Sequence, residues 1–174
     1  MSPRVRRLAV TTHVTVSVGW VGAVLTFIAI AVVGLTADDE VAVRGAYLVM
    51  EAAARYVLVP LALLSLVTGV VQSLGTTWGL LRHHWVVVKL LITLVATVVL
   101  LLYLRTFAVM AGVAADPAAG LEEVRNPSPL VHAVLALVLL WVATVLGVVK
   151  PRGLTRVGRR AVRRPVRPQA PAVG

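Results

Sequence analysis

Residues 85–112 read WVVVKLLITLVATVVLLLYLRTFAVMAG. Between Lys89 and Arg105 nothing is charged, and apolar residues follow one another without alternation. A half-buried strand would alternate, so the stretch reads as helix. A helix needs roughly 20 apolar residues to cross the hydrocarbon of a bilayer, and this one has enough. The same reading holds for 8–35, for about 47–74 (most apolar after Tyr56) and for 130–149. The expected fold is all-α: a polytopic membrane protein, an antiparallel four-helix transmembrane bundle joined by short loops. Loop 3, about 113–129, is the longest connection and has room for a short surface helix.

Composition agrees. The 174 residues are 59% hydrophobic, 14% charged and 5% aromatic, with a mean hydropathy of +0.94. Soluble domains are about 25% charged, so an ordinary soluble globule is excluded. Without cysteine, disulfides, thiolate metal sites and cysteine nucleophiles are excluded as well. There is no GxGxxG, Walker loop, HExxH or GxSxG, and no defensible internal repeat. Arginine outnumbers lysine 15 to 2 and Ala and Val dominate, a composition typical of high-GC bacteria. That points to the bacterial cytoplasmic membrane.

Charge sets the expected topology. Arg4, Arg6 and Arg7 precede helix 1, Arg82 lies between helices 2 and 3, and eight basic residues from Lys150 to Arg167 follow helix 4. No acid accompanies these twelve cations. All seven acids lie within 38–51 and 116–123. The positive-inside rule then puts both termini in the cytoplasm. The 28 residues of 8–35 exceed the 7–15 or so of a signal-peptide core, so they are read as a retained helix. Residues 151–174, rich in Arg, Pro and Val, are expected to be a disordered basic tail. Such a tail suits anionic lipid, at about 1 kcal/mol per charge, and nothing else here suggests nucleic acid.

Polar groups inside spans are costly and point to function. His13 lies about 9 Å along helix 1 from Arg7, with Ser17 and Trp20 on the same face at i+4 and i+7. Lys89 lies about 6 Å past the interfacial Trp85, with Thr93 and Thr97 continuing its face. His13 and Lys89 are thus at similar inner-leaflet depth. If helices 1 and 3 are neighbours, one polar pocket holds His13, Ser17, Trp20, Trp85, Lys89 and Thr93. On helix 2, Ser65, Gly69 and Ser73 form a small-residue stripe suited to close packing, Gln72 lies near the inner surface, and Pro60 should loosen or kink the helix. At the outer interface Glu51 and Arg55 can pair at i, i+4. Arg105 lies about 30 Å beyond Trp85, and His132 begins helix 4 there. Arg55 and Arg105 are read as snorkelling to headgroups.

Two patterns carry a resemblance. His13-x6-Trp20 followed by Gly22 resembles the first span of CopD-like copper-resistance membrane proteins and of HemJ-type protoporphyrinogen oxidases. Trp85-x3-Lys89-Leu90-Leu91 resembles the third span of the HemJ-type proteins. Residues 3–157 as a whole, with "HVTVSVGWVGAV", "LVTGVVQSLGTTWGLLRHHWVVVKLL" and "VVKPRGLTR", resemble a four-helix integral membrane family of high-GC bacteria, a domain of unknown function. The HemJ resemblance implies His13 as the iron ligand of haem b and Lys89 facing a propionate or porphyrin carboxylate. No second ligand is evident: Met50 is in the other leaflet, and His83 and His84 are at the interface. Copper handling normally uses several His, Met or Cys ligands, but Met1, Met50 and Met110 do not cluster with His13.

Three functions stay open. The first is a non-enzymatic membrane subunit or scaffold, a homo-oligomer or a partner of another membrane protein. In it His13 bonds a Ser or Thr of another helix and Lys89 snorkels. The second is a haem-b-binding or porphyrin-handling redox protein using His13 and Lys89. The third is a small-solute or metal transporter, although a proton-coupled one would be expected to carry an acid deeper than Glu51.

Overall fold

The computed structural model describes residues 1–75, 79–151, 153–155 and 158–159. Helix α1 spans Pro3–Thr36, α2 Glu40–Ala53, α3 Val59–Leu74, α4 His84–Ala115, α5 Leu121–Val124 and α6 Ser128–Val149. A π-helical turn, Ala54–Leu58, joins α2 to α3 without a break. Four segments are long and apolar enough to cross a membrane: Pro3–Thr36, Glu40–Leu74, His84–Ala115 and Leu121–Val149. This is the build of a multi-pass membrane protein. The outer surface agrees, since Leu8, Val18, Leu102, Leu135, Trp141 and Val148 are all more than half exposed. That much exposed apolar surface calls for a lipid solvent.

Local chemistry explains the helix ends. Pro3 occupies the first turn of α1, where its missing N–H costs nothing, and the Ser2 hydroxyl accepts from the Val5 N–H at 3.4 Å. Helix α2 starts seven residues before the expected onset at 47. The Asp39 carboxylate accepts from the N–H groups of Val41 (3.3 Å) and Ala42 (3.1 Å), an N-cap that suits the helix dipole. Lys150 closes α6 in the left-handed region at φ 46°, and Pro151 cannot continue the helix. The disturbance expected at Pro60 appears as the π turn just before it. The Val59 N–H reaches back to the Ala54 carbonyl, so the helix absorbs an extra residue where the ladder loses a donor.

The four spans form a ring. Helix α1 packs against α2–α3 on one side and α6 on the other, and α4 packs against the same two neighbours. The backbones of α1 and α4 therefore lie across a diagonal and do not approach each other. Only large side chains bridge it: Phe27 and Phe107 meet edge to face at 5.4 Å between centroids. The core is one-sided along the axis. In α1 the buried residues are Trp20, Val24, Phe27, Ala31 and Gly34, and nothing before Trp20 is buried. The half of the bundle holding His13 and Lys89 is therefore open inside.

At the other end two arginines tie the loops down. Arg44 donates to the carbonyls of Ala114 (3.2 Å), Asp116 (2.9 Å) and Ala119 (2.6 Å), satisfying the end of α4. Arg125 donates to Leu35 (3.2 Å) and Ala37 (2.7 Å), satisfying the end of α1. The Tyr47 hydroxyl accepts from the Asn126 N–H at 2.6 Å and donates to its carbonyl at 3.1 Å. Loop 3 does hold a short helix, α5, whose Val124 is buried beneath these contacts. Within the tail expected to be disordered, the Thr155 N–H donates to the Arg82 carbonyl at 2.9 Å, and Leu154 bridges His83. Residues 152, 156–157 and 160–174 of that expectation lie outside the described residues.

Candidate functional site

The open half of the bundle encloses a cavity of about 360 Å³. His13 enters it from α1, Ser65, Gly69, Gln72 and Ser73 from α3, Trp85, Lys89 and Thr93 from α4, and Gly147 and Lys150 from α6. His13 and Lys89 thus share one polar pocket, although α1 and α4 are not neighbours. They face each other across the diagonal because two glycines make room. A Cβ on Gly69 would stand 3.1 Å from His13 Cε1, and one on Gly147 would stand 2.7 Å from Lys89 Nζ.

The hydrogen bonds assign donors and acceptors. The Thr68 hydroxyl donates to the Leu64 carbonyl at 2.6 Å, a bond typical of Thr in transmembrane helices. Its proton is spent, so at 3.0 Å from His13 Nδ1 it accepts. Nδ1 then carries the hydrogen of neutral His13, and Nε2 keeps the lone pair. One turn further, Ser17 and Ser65 bond across the same seam at 3.1 Å. Thr93 donates to the Lys89 carbonyl (3.0 Å), Thr97 to Thr93 (2.7 Å) and Ser73 to Gly69 (2.7 Å). These hydroxyl protons are committed to the helices that carry them. Beside the Gln72 amide and the Trp85 indole, the lining carries cationic side chains.

Among the described residues these cations are three. Lys89 is half-buried, and Arg6 and Lys150 stand exposed at the rim. Among the described residues no carboxylate lines the cavity. Both ion pairs among the described residues lie elsewhere: Glu40 with Arg44 at 2.8 Å and Glu51 with Arg55 at 2.6 Å. Gln72 Oε1 is buried without a hydrogen-bond partner among the described residues.

Other expected residues fall differently. Ser17 serves the α1–α3 seam and does not line the cavity. Trp20 belongs to a second, apolar cavity deeper in the bundle; seven residues bring it back to the face of His13 but about 10 Å further along the axis. Arg55 and Arg105, expected at the outer interface, are exposed, and Glu51 holds Arg55. His132 turns inward, its Nδ1 2.8 Å from the Ser128 carbonyl and its ring on Tyr103 at 4.3 Å. Arg6 and Lys150 went unrecognised as site residues because a cation beside a membrane reads first as a topology signal. The Gly69 and Gly147 approaches have no sequence signature beyond small size. Among the described residues no three His, Asp or Glu side chains gather as a metal site. Compared with known protein families, curated proteins and solved structures, the chain matches none.

Proposed function

We propose that the chain is an antiparallel four-helix protein of the bacterial cytoplasmic membrane, with both termini in the cytoplasm. Its inner cavity binds the anionic head of an amphiphile, a carboxylate or a phosphate. In this reading the protein is a binding subunit and not a catalyst. The supporting observation is the lining: Lys89 within the span, Arg6 and Lys150 at the rim, and, among the described residues, no carboxylate. A cation such as Lys89 inside a bilayer is costly, and an anion bound beside it lowers that cost. Both the positive-inside bias and the gathering of all seven acids within 38–51 and 116–123 support the topology.

Native mass spectrometry tests the binding. After exchange into mixed phosphatidylglycerol and phosphatidylcholine, the expected result is one retained anionic lipid at about tenfold preference, equivalent to about 1.4 kcal/mol. Lys89→Gln should abolish that preference. Equal retention of the two lipids by the unmodified protein refutes the reading.

A second reading has its own observation. The His13 tautomer leaves Nε2 as a ligand atom in the cavity that holds Lys89, the arrangement the HemJ resemblance implies for haem b. One nitrogen donor and cations for the propionates fit a tetrapyrrole. Among the described residues lining the cavity there is no second imidazole and no thioether. Iron would bring electron transfer; the chain would bring orientation through His13 and charge neutralisation through Lys89. Purification under ample haem supply discriminates. A Soret band lost in His13→Ala makes the anion a porphyrin carboxylate, whereas a colourless folded protein removes this reading and leaves the lipid.

A further inference from the structure

We propose that the second cavity, between α1, α4 and α6, is a binding site for a lipid-soluble hydroxyarene, a phenol or quinol ring whose hydroxyl donates to His132 Nε2. It is a separate site from the cationic cavity and does not rest on the reading of it.

The cavity measures about 200 Å³ and, among the described residues, no charged side chain lines it. An apolar cavity of about 150 Å³ stays dry and holds benzene, so one aromatic ring fits. The walls suit a ring. Trp20, Phe27, Tyr103 and Phe107 face the space, and three of them form an edge-to-face series, Phe27–Phe107 at 5.4 Å and Tyr103–Phe107 at 4.9 Å. Rings in such sets prefer further offset or edge contacts. Val99 and Leu135 line the cavity and are also exposed, at 43% and 57%. The way in is therefore from lipid, between α4 and α6.

His132 supplies the polar end. Its Nδ1 lies 2.8 Å from the Ser128 carbonyl, which can only accept, so Nδ1 carries a hydrogen and, in the neutral ring, Nε2 is the acceptor. Tyr103 stacks on the ring at 4.3 Å and bonds the Ser128 hydroxyl, so the imidazole is held in place. Nε2 has no hydrogen-bond partner among the described residues. An acceptor in an apolar cavity selects a donor: a phenol or quinol, not a quinone or a bare acyl chain. Few polar groups in a mostly apolar hollow is the usual form of a small-molecule site.

Equilibrium dialysis with the full chain in lipid nanodiscs tests this, with empty discs as the reference. The probes are phenol and anisole, the same ring with and without a donor. We expect saturable binding above empty discs and a phenol preference of about three- to tenfold, the range of one hydrogen bond. His132→Phe should remove the preference and keep the ether binding, and Ala136→Leu, which fills the cavity, should weaken both. Binding no better than to empty discs, or equal binding of the two probes to the unmodified protein, overturns the proposal without any variant. A preference that survives in His132→Phe overturns it too.

Discussion

Gly69→Ala tests the seam that positions His13. The new methyl would stand 3.1 Å from His13 Cε1, closer than carbon atoms usually pack, and 3.7 Å from Nδ1, an ordinary contact. The ring cannot swing aside freely, because its Nδ1–H is bonded to Thr68 at 3.0 Å. Either that bond breaks, at about 0.5–1.5 kcal/mol, or α1 and α3 separate. Overpacking of this kind costs about 1–3 kcal/mol. Alanine recovers about 1 kcal/mol of helix propensity, so the net loss in the unmodified background is about 0–2 kcal/mol. With His13→Ala the obstruction is gone, and the same substitution becomes stabilising by about 1 kcal/mol. The sign reversal is the diagnostic. A double-mutant cycle measured by reversible unfolding in mixed micelles should give a coupling of about 1–3 kcal/mol. Gly22→Ala is the control: a Cβ there meets nothing within 4 Å, so its effect should not depend on His13. If the Gly69 and His13 effects add within about 0.5 kcal/mol, the ring does not lie over Gly69 and the assigned tautomer loses its geometric basis.

Thr68→Val should cost about 1 kcal/mol in the same unfolding assay and nothing further once His13 is alanine. Arg44→Gln and Arg125→Gln should each destabilise by about 2–4 kcal/mol, since each strands carbonyls at a helix end. Arg125→Lys should rescue little, because one ammonium cannot reproduce the forked pair of bonds to Leu35 and Ala37, and the melting temperatures will show it. The absence of cysteine makes single-cysteine topology mapping direct. Asp38→Cys should react with a membrane-impermeant maleimide in intact cells and Arg82→Cys only after lysis; the reverse pattern would invert the assigned orientation.

The four spans were legible because hydropathy is a sum over many residues and tolerates local error. Their ends were less so. Helix α2 begins at Glu40 because Asp39 caps it, a signal obscured by the charges around it. Depth placed His13 and Lys89 at one level, since 1.5 Å per residue holds in any helix. Adjacency was not legible: short loops are equally consistent with α1 beside α4 or across from it. Trp20 shows the limit of a helical wheel, which gives direction around the axis while the axial distance decides which cavity a side chain enters. The arginine clamps depend on carbonyls at helix ends, and backbone acceptors carry no sequence signature.

The π turn at Ala54–Leu58 also bears on how this chain can change over generations. A one-residue deletion inside an ordinary helix turns everything beyond it by about 100°. In α3 that would carry Thr68 away from His13 and Ser65 away from Ser17. The π turn already holds one surplus residue, so a deletion there could close it into α-helix and leave both flanks facing as they do now, with Pro60 left as an ordinary proline kink. Among the described residues it is the point within a span where the gene can lose a codon and keep its packing, and where homologues differing in length by one should align their gap.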